Sequence, residues 1–214
     1  MIKIENIDVW GFEHATRGMR NPLNSWDKSD STFFNNYDIG IRDFILGKND
    51  LDLMKRLYKT GSEHRKYLRQ IFISMDITAP LYWWKEFDTY KIGTTADSCS
   101  TMHKISAKEF ELDDFSHEHL FSSNGKHGSS LDTLQYVIND LNYWRNRYVE
   151  SKNKYNWWQM IQLLPSSYNQ KRTITMNYEN VITMIKQRTG HKLDEWNDFV
   201  EILKGLPYIK RIME

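Results

Sequence analysis

Hydrophobic and polar residues alternate in two separate stretches of the first third of the chain. Residues 1–10 carry isoleucine and valine at alternating positions, which predicts a first strand. Residues 70–77 alternate Ile, Ile, Met and Ile with polar residues, which predicts a strand with one buried face. The segment from 11 to 36 is rich in Asn, Ser, Asp and Gly, which favours irregular structure that packs on the body through its aromatic residues.

Helical periodicity dominates most of the remaining sequence. Asn49 or Asp50 is predicted to cap a helix that runs to Lys59 and stops at Gly61, with a short helix after it. Pro80 is predicted to open a short aromatic helix that leads into a loop of small residues. Further helices are predicted over 129–152, 153–164, 181–188 and 196–203. Residues 172–177 are predicted to be a strand or an extended segment. A loop is expected over 93–101 and irregular structure over 112–128.

These patterns predict an α+β fold that is rich in helix and has a small central sheet. The length of 214 residues suits a single domain over 1–214, in which residues 1–60 form an N-terminal extension packed on the body. No run of about 18 apolar residues exists, and an acid stands where a signal peptide needs an apolar region. We therefore expect a cytoplasmic protein that has no membrane partner.

The net charge and the cysteine content exclude several classes of binding partner and site. Lys+Arg 29 against Asp+Glu 28 gives a net charge of +1, which argues against bulk nucleic-acid binding but leaves room for one local phosphate pocket. The single cysteine, Cys99, cannot form an internal disulfide, and no Cys/His spacing typical of a zinc site occurs, so no metal is expected. The thirty aromatic residues favour an oligomer, because such residues are enriched at interfaces.

The densest polar cluster lies between residues 85 and 104. Its small hydroxyl residues can surround a phosphate with O–H and N–H donors, while His103 and Lys104 add positive charge. The alternative is a loop held by local side-chain turns. Both interpretations stay open on composition alone.

The segment from Pro80 to Met102 resembles the signature of the flavin-dependent thymidylate synthases. In that family Arg-His-Arg is followed after seven residues by Ser and then Gly-Arg-Tyr, with Asn-Glu inside the gap. Here Thr89-Tyr90-Lys91 stands at Arg-His-Arg, and Cys99 stands at the Ser. Ala96-Asp97 falls on Asn-Glu, Glu86 on a preceding Gln, and Ser100-Thr101-Met102 on Gly-Arg-Tyr. The spacing is kept while most identities differ.

The second half of the chain resembles the same family at three spacings. Leu164-Pro165 is followed twelve residues after the Pro by Asn177, and eleven residues later by Arg188. Arg188 matches a family Arg that contacts the pyrimidine base, and Asp194 stands where a Gln is usual. The resemblance covers about residues 63–205.

The resemblance implies a homotetramer with shared active sites that binds a deoxyuridine monophosphate and FAD. Methylene-tetrahydrofolate and NADPH would be the co-substrates for methyl transfer to C5 of the base. It also implies cofactor contacts for Thr89, Tyr90 and Lys91, with Arg188 and Cys99 as the catalytic candidates. The substrate-binding candidates are Glu86, Asp97, Ser98, Ser100, Thr101, His103, Lys104 and Arg188.

Each candidate also has a plainer interpretation. Arg188 is equally consistent with an Arg that ends a helix and is favoured by the helix dipole. Cys99 is more often a small apolar residue than a nucleophile that adds to C6 of a pyrimidine. At the level of the whole protein, the alternatives are a nucleotide-binding or interaction protein that lost the chemistry, and a flavin-independent C5 hydroxymethylase that uses Cys99.

Overall fold

The computed structural model describes residues 2–36, 41–122 and 128–214, and it has the α+β fold that the sequence predicts. No helix in these ranges is long and apolar enough to cross a membrane. The strands are β1 (Lys3–Trp10), β2 (Thr32–Asn36), β3 (Ile41–Ile45), β4 (Phe72–Pro80), β5 (Thr94–Ser98) and β6 (Asn169–Asn177). The helices are α1 (Phe12–Arg20), α2 (Lys48–Thr60), α3 (Leu81–Phe87), α4 (Ser130–Ser151), α5 (Lys154–Leu163), α6 (Tyr178–Arg188), α7 (Asp194–Lys204) and α8 (Ile209–Met213).

Four strands form one sheet in the order β1-β4-β6-β5, and β2 pairs with β3 as a separate antiparallel hairpin. The chain divides into two compact units. Unit 1 consists of Met1–Ile4, Asp76–Thr89 and Asp97–Thr173, and unit 2 of Glu5–Met75, Tyr90–Ala96 and Ile174–Glu214. The single domain over 1–214 stays a prediction.

Unit 1 is built around the helical pair α4 and α5. Ser129 accepts a hydrogen bond from the N–H of Asp132 and caps α4, and Asn153 caps α5 in the same way through the N–H of Tyr155. The sequence predicted both helices, over 129–152 and 153–164. The buried faces of these helices pack on residues from the segment that precedes them, forming a core of Ile105, Phe110, Phe115, Leu134, Ile138, Leu141 and Met160.

Unit 2 is organised around aromatic contacts and the helices α2, α6, α7 and α8. The ring of Phe12 meets the rings of Tyr178 and Tyr208 edge-on, with centroids 5.5 and 5.2 Å apart. The hydroxyl of Tyr178 donates to the carbonyl of Pro207 at 3.0 Å, which satisfies a buried polar group. Trp196 of α7 is fully buried beside Phe199.

Two segments predicted as irregular contain regular structure. In residues 11–36, α1 forms because Phe12, Ala15 and Met19 fall on one buried face, although the segment is polar on average. In the predicted loop over 93–101, β5 forms at the edge of the sheet beside β6. An edge strand that is exposed on both faces shows no alternation of hydrophobic and polar residues, so its sequence does not indicate a strand. Its pairing with β6 keeps the backbone extended. Residues 123–127 of the predicted irregular segment over 112–128 lie outside the described residues.

The cap of α2 differs from the predicted one. Neither Asn49 nor Asp50 caps the helix, since both lie inside it. Their N–H groups donate to the carboxylate of Asp30, at 2.9 and 3.2 Å. A carboxylate from a preceding loop satisfies a helix N-terminus as well as a local cap does, and also matches the helix dipole.

Candidate functional site

In unit 2, Arg188 at the end of α6 is held by aromatic neighbours. Its Nε donates to the hydroxyl of Tyr90 at 2.9 Å, and its guanidinium carbon lies 4.8 Å from the ring centroid of Trp196. Its Nη1 lies 3.2 Å from Nε2 of His191. We call Arg188, Tyr90, His191 and Trp196 the arginine clamp. Because Arg188 is half-buried and stacked, its planar donors have a fixed orientation.

The loop that carries Tyr90 is tied to α6 at several points. The hydroxyl of Tyr90 donates to the side chain of Gln187 at 2.9 Å. The side-chain amide of Asn180 donates to the carbonyl of Ile92 at 2.7 Å and to the hydroxyl of Thr94 at 2.9 Å. Gly93 between them has φ +76°, a left-handed conformation that favours glycine. These bonds keep Tyr90 against Arg188.

In unit 1, the residues from Cys99 to Lys104 form a turn that follows β5. The N–H of Cys99 donates to the carbonyl of Lys171 at 3.0 Å, and its carbonyl accepts from the side chain of Gln170 at 2.8 Å. Ser100 accepts from the N–H of His103 at 3.0 Å. The thiol side chain of Cys99 is exposed. This anchoring supports the local-turn interpretation of the segment and leaves its side chains at the surface.

A surface pocket of about 230 Å³ in unit 1 is lined by three lysines, and we call it the lysine pocket. Lys108 pairs with Asp114 at 2.5 Å and Lys171 with Asp76 at 3.1 Å, so two of the three charges are balanced. Lys104 has no ion pair within the described residues, which leaves the pocket an excess of positive charge. Its other lining residues include Cys99, Ser100, Thr101, Asn169 and Tyr168.

The pocket also holds a protonated phenol. Burial raises the pKa of Tyr168, and the nearby carboxylate of Asp114 raises it further. Its hydroxyl is therefore a neutral hydrogen-bond donor over the whole physiological pH range. The lysine pocket thus combines lysine charge with hydroxyl donors, which is the chemistry that holds a phosphate.

Comparison with solved structures identifies the fold. Thymidylate synthase X from Helicobacter pylori, crystallised with FAD and dUMP, superposes on the chain with a TM-score of 0.69 at 16% identity, covering 100% of this chain and 97% of that one. The chain has the fold of the flavin-dependent thymidylate synthases. A second structure of that enzyme gives a TM-score of 0.66 at 16% identity, covering 99% of this chain and 97% of the other.

A UMP/dUMP methylase from Streptomyces cacaoi, bound with 5-Br UMP, has the same fold. It superposes with a TM-score of 0.64 at 13% identity, and the match covers 99% of this chain and 92% of the methylase. No family model and no curated protein sequence matches the chain. The likeness to the thymidylate synthase fold, suggested by spacing in the sequence, is thus confirmed at the level of structure.

On this thymidylate synthase fold, the predicted site residues fall into two groups. Tyr90 and Arg188 meet in the arginine clamp, while Cys99, Ser100, Thr101 and Lys104 line the lysine pocket. The remaining candidates have other surroundings. Thr89 donates its hydroxyl to the carbonyl of Glu86 at 2.7 Å. Asp97 and Ser98 are exposed on β5, and Lys91 and His103 are also exposed.

The structure adds residues that sequence reasoning did not assign to a site. His191 is part of the arginine clamp, Gln187 accepts from its Tyr90, and Lys108 and Lys171 line the lysine pocket. His191 and Gln187 are one to three residues from Arg188, so their nearness along a helix end was a usable signal. The two lysines are distant from Cys99 in sequence, and only the fold brings them to it.

Proposed function

We propose that this protein binds a pyrimidine nucleoside monophosphate and uses Arg188 to recognise the base. The arginine clamp carries this proposal. An Arg kept only as a helix-end charge needs no fixed orientation, whereas this guanidinium is stacked on Trp196 and bonded to Tyr90. The whole-chain likeness to a dUMP-bound thymidylate synthase and a 5-Br UMP-bound methylase supports it independently.

The chemistry available to Arg188 follows from its geometry. A guanidinium donates parallel N–H bonds in one plane, and an oriented donor stabilises negative charge that develops on a pyrimidine carbonyl oxygen. Because Tyr90 and Trp196 hold the plane before a ligand arrives, little reorganisation is needed on binding. Arg188 would therefore orient the base and stabilise charge on it during attack at C5 or C6.

In unit 1, taken by itself, we propose that the lysine pocket holds a phosphate group. Lys104 contributes a cation without an internal ion pair in the described chain, and Ser100, Thr101 and Tyr168 contribute hydroxyl groups. This assignment explains how the chain dispenses with the family Arg whose place Thr101 takes. His103, next to Lys104 in sequence, is a second proposed phosphate contact.

The residues at the cofactor positions fit FAD weakly. A flavin dinucleotide carries a diphosphate, which needs cationic or N–H donors. The hydroxyl of Thr89 is engaged with Glu86, and that of Tyr90 with Gln187 and Arg188. Lys91 is the one exposed cation of the three. Methyl transfer to C5 with FAD, NADPH and methylene-tetrahydrofolate is therefore supported by the likeness of the fold alone.

A second candidate function is favoured by the exposed thiol of Cys99 beside the lysine pocket. Addition of the thiolate to C6 of a bound pyrimidine would make C5 nucleophilic toward a one-carbon donor, and elimination would then return the thiol. This route modifies C5 without a flavin. It requires Cys99, whereas a flavin-dependent route does not.

A homo-oligomer is part of the proposal. The pair α4 and α5 exposes Tyr136, Tyr143, Tyr155 and Trp158, with exposed fractions of 74%, 51%, 62% and 41%. Aromatic side chains of this size are enriched at protein interfaces. Their exposure in one chain supports the tetramer that the family resemblance implies.

Release of tritium from dUMP labelled at C5 tests the chemistry, because every substitution at C5 must remove that hydrogen. We expect release with methylene-tetrahydrofolate, with and without FAD and NADPH, and its loss in Arg188→Ala. The matched control is Arg147→Ala, because Arg147 also donates to a tyrosine hydroxyl, that of Tyr143 at 3.2 Å, but lies outside the clamp. Retained release in Cys99→Ser excludes the thiol route. Absence of tritium release under all of these conditions would contradict the proposal that the protein is an enzyme that acts at C5.

A further inference from the structure

We propose that His191 is a second specificity-determining residue of the arginine clamp, which donates together with Arg188 to one carbonyl oxygen of the bound base, O4. The inference rests on the proposed function, because it names a further contact to the same ligand. Two contacts of the His191 ring carry it: Nδ1 lies 3.1 Å from the main-chain nitrogen of Leu193, and Nε2 lies 3.2 Å from Nη1 of Arg188. All three residues belong to unit 2.

The imidazole of His191 is held in place by the turn between α6 and α7. The main-chain N–H of His191 donates to the carbonyl of Arg188 at 3.2 Å, and its carbonyl accepts from the side-chain amide of Asn197 at 2.9 Å. The ring meets that of Trp196 edge-on, with centroids 6.3 Å apart. The position of the ring nitrogens is therefore set by the fold.

The hydrogen bond from Leu193 decides which ring nitrogen carries the proton. The N–H of Leu193 donates to Nδ1 of His191, so Nδ1 uses its lone pair as an acceptor. A proton on Nδ1 would instead point at that N–H, which belongs to the main chain and cannot turn away. Because a neutral imidazole holds one proton, that proton resides on Nε2.

The Nε2–H of His191 therefore faces a second donor. Nη1 of Arg188, 3.2 Å away, carries N–H groups and has no lone pair that could accept. The guanidinium does not turn freely, since its Nε is bonded to Tyr90 and its carbon lies over the ring of Trp196. Two donors this close cannot satisfy each other, and one oxygen within reach of both would satisfy them together.

O4 of a pyrimidine has the properties that this pair of donors requires. A carbonyl oxygen has two lone pairs and accepts from two donors at once, whereas an amino group at the same place would add a third donor. When a nucleophile such as a thiolate adds to C6, the C5=C6 electron pair moves to C4–C5 and the C4=O4 pair moves onto O4. Two donors already directed at O4 stabilise that charge. His191 thus shares with Arg188 both the recognition of the base and the stabilisation of charge on it.

Two variants separate a contact to the ligand from a structural role. His191→Asn puts an amide oxygen where Nδ1 accepts from Leu193 and removes the Nε2 donor, whereas His191→Gln puts an amide N–H where Nε2–H lies and removes the acceptor. In calorimetric titration with dUMP we expect about five-fold weaker binding in His191→Asn and nearly wild-type affinity in His191→Gln. The melting temperature shows that each variant is folded. A merely structural role predicts the reverse order, with His191→Gln the more damaged variant, and that result overturns the proposal.

His14→Asn is the matched control. His14 is also next to an arginine in unit 2, with its Nδ1 3.5 Å from Nη2 of Arg17, but it lies outside the arginine clamp. We expect unchanged dUMP affinity in this variant. An equal loss in His14→Asn and His191→Asn would mean that the effect is not a contact to the base, and would overturn the proposal.

Sulfur-substituted nucleotides identify the atom of the base. Sulfur accepts hydrogen bonds more weakly than oxygen, so 4-thio-dUMP should bind wild type about five-fold more weakly than dUMP does. 2-Thio-dUMP is the matched ligand and should bind like dUMP. The penalty for 4-thio-dUMP should be smaller in His191→Asn, because that variant has already lost one donor to the atom. Deoxyuridine should show the same loss in His191→Asn, because the contact is to the base and not to the phosphate.

The outcomes distinguish this role of His191 from the proposed function. Equal dUMP affinity in wild type and His191→Asn, or an undiminished penalty for 4-thio-dUMP in that variant, would overturn the role of His191. If dUMP binding nevertheless falls in Arg188→Ala, the proposed function stands without it. Absence of dUMP binding to wild type would overturn both.

Discussion

The buried ion pair between Arg20 and Asp50 provides a sharp test of how the N-terminal region is held. Asp50 is fully buried, and its carboxylate accepts from the Nε of Arg20 at 2.6 Å. It also accepts from the hydroxyls of Ser29 and Ser31, at 2.8 and 2.6 Å, and from the N–H groups of Asp30 and Ser31, at 3.2 and 3.0 Å. One carboxylate therefore fixes the loop between α1 and β2.

Asp50→Asn removes the charge and keeps the shape. The guanidinium of Arg20, which also donates to the carbonyl of Ser25 at 3.1 Å, then stays buried without an opposite charge. Breaking a buried pair on one side costs about 3–5 kcal/mol. For a chain of this length, each kcal/mol corresponds to about 2–4 °C in melting temperature, so we expect a loss of about 10 °C.

Arg20→Met should cost less than Asp50→Asn. In that variant the carboxylate of Asp50 keeps four hydrogen-bond donors from Ser29, Asp30 and Ser31. Urea unfolding monitored by circular dichroism measures both free energies of unfolding. Lys55→Ala is the control, because Lys55 pairs with Glu214 near the surface at 3.0 Å and such pairs contribute at most about 1 kcal/mol.

Either of two results would contradict this role of the ion pair between Arg20 and Asp50. A loss below about 1 kcal/mol in Asp50→Asn would mean that the buried pair does not hold the loop. A larger loss in Arg20→Met than in Asp50→Asn would mean that the hydroxyl and N–H donors do not stabilise the carboxylate.

Three further predictions concern pH, flavin and assembly. Burial acts to raise the pKa of Asp50, but hydrogen bonds from Ser31, Ser29 and Arg20 outweigh it and lower the pKa below 3.8. The resulting stability is complete above the unfolded pKa and is lost as pH falls through the folded one, so urea unfolding from pH 7 to pH 2 should show a steeper acid loss in wild type than in Asp50→Asn. FAD should bind more weakly than to a family member with Arg-His-Arg, since two charge-assisted bonds of about 1.5–3 kcal/mol each are absent; a fluorescence titration measures this, and stoichiometric FAD in the purified protein contradicts it. Light scattering should return a mass well above 25.7 kDa at micromolar concentration, and a stable single-chain mass refutes the oligomer.

Most elements of the fold follow from local sequence signals. The alternation before Pro80 predicts β4, whose inward residues Ile73, Met75 and Ile77 are buried. The boundaries of α4 follow from a serine cap and a long amphipathic pattern. Such elements bury one face and carry their own caps, so their signals lie within a few residues.

Elements that depend on distant partners cannot be predicted in this way. β5 forms because its backbone pairs with that of β6, and the sequence of Thr94–Ser98 by itself does not distinguish a strand from a loop. The cap of α2 comes from Asp30, about twenty residues earlier. Long-range hydrogen bonds of this kind depend on the folded chain.

The candidate site divides in the same way. The spacing from Pro165 to Asn177 and Arg188 makes Arg188 a candidate only through its likeness to the family pattern, and its neighbours His191 and Gln187 lie close to the same helix end. The lysine pocket is only half predictable, because Lys104 lies close to Cys99 in sequence while Lys171 reaches it through the pairing of β5 with β6.

Calorimetric titration with dUMP tests the central claim, recognition of a pyrimidine nucleotide through Arg188, most directly. We predict one site per chain in wild type, loss of at least ten-fold in affinity in Arg188→Ala with little change in melting temperature, and unchanged affinity in Arg147→Ala. Lys104→Ala tests the lysine pocket of unit 1 separately, and only ligands that carry a phosphate group, such as dUMP but not deoxyuridine, should bind more weakly to that variant. Unchanged dUMP affinity in Arg188→Ala, together with a large loss of stability, would contradict the account and make the arginine clamp a structural feature of unit 2.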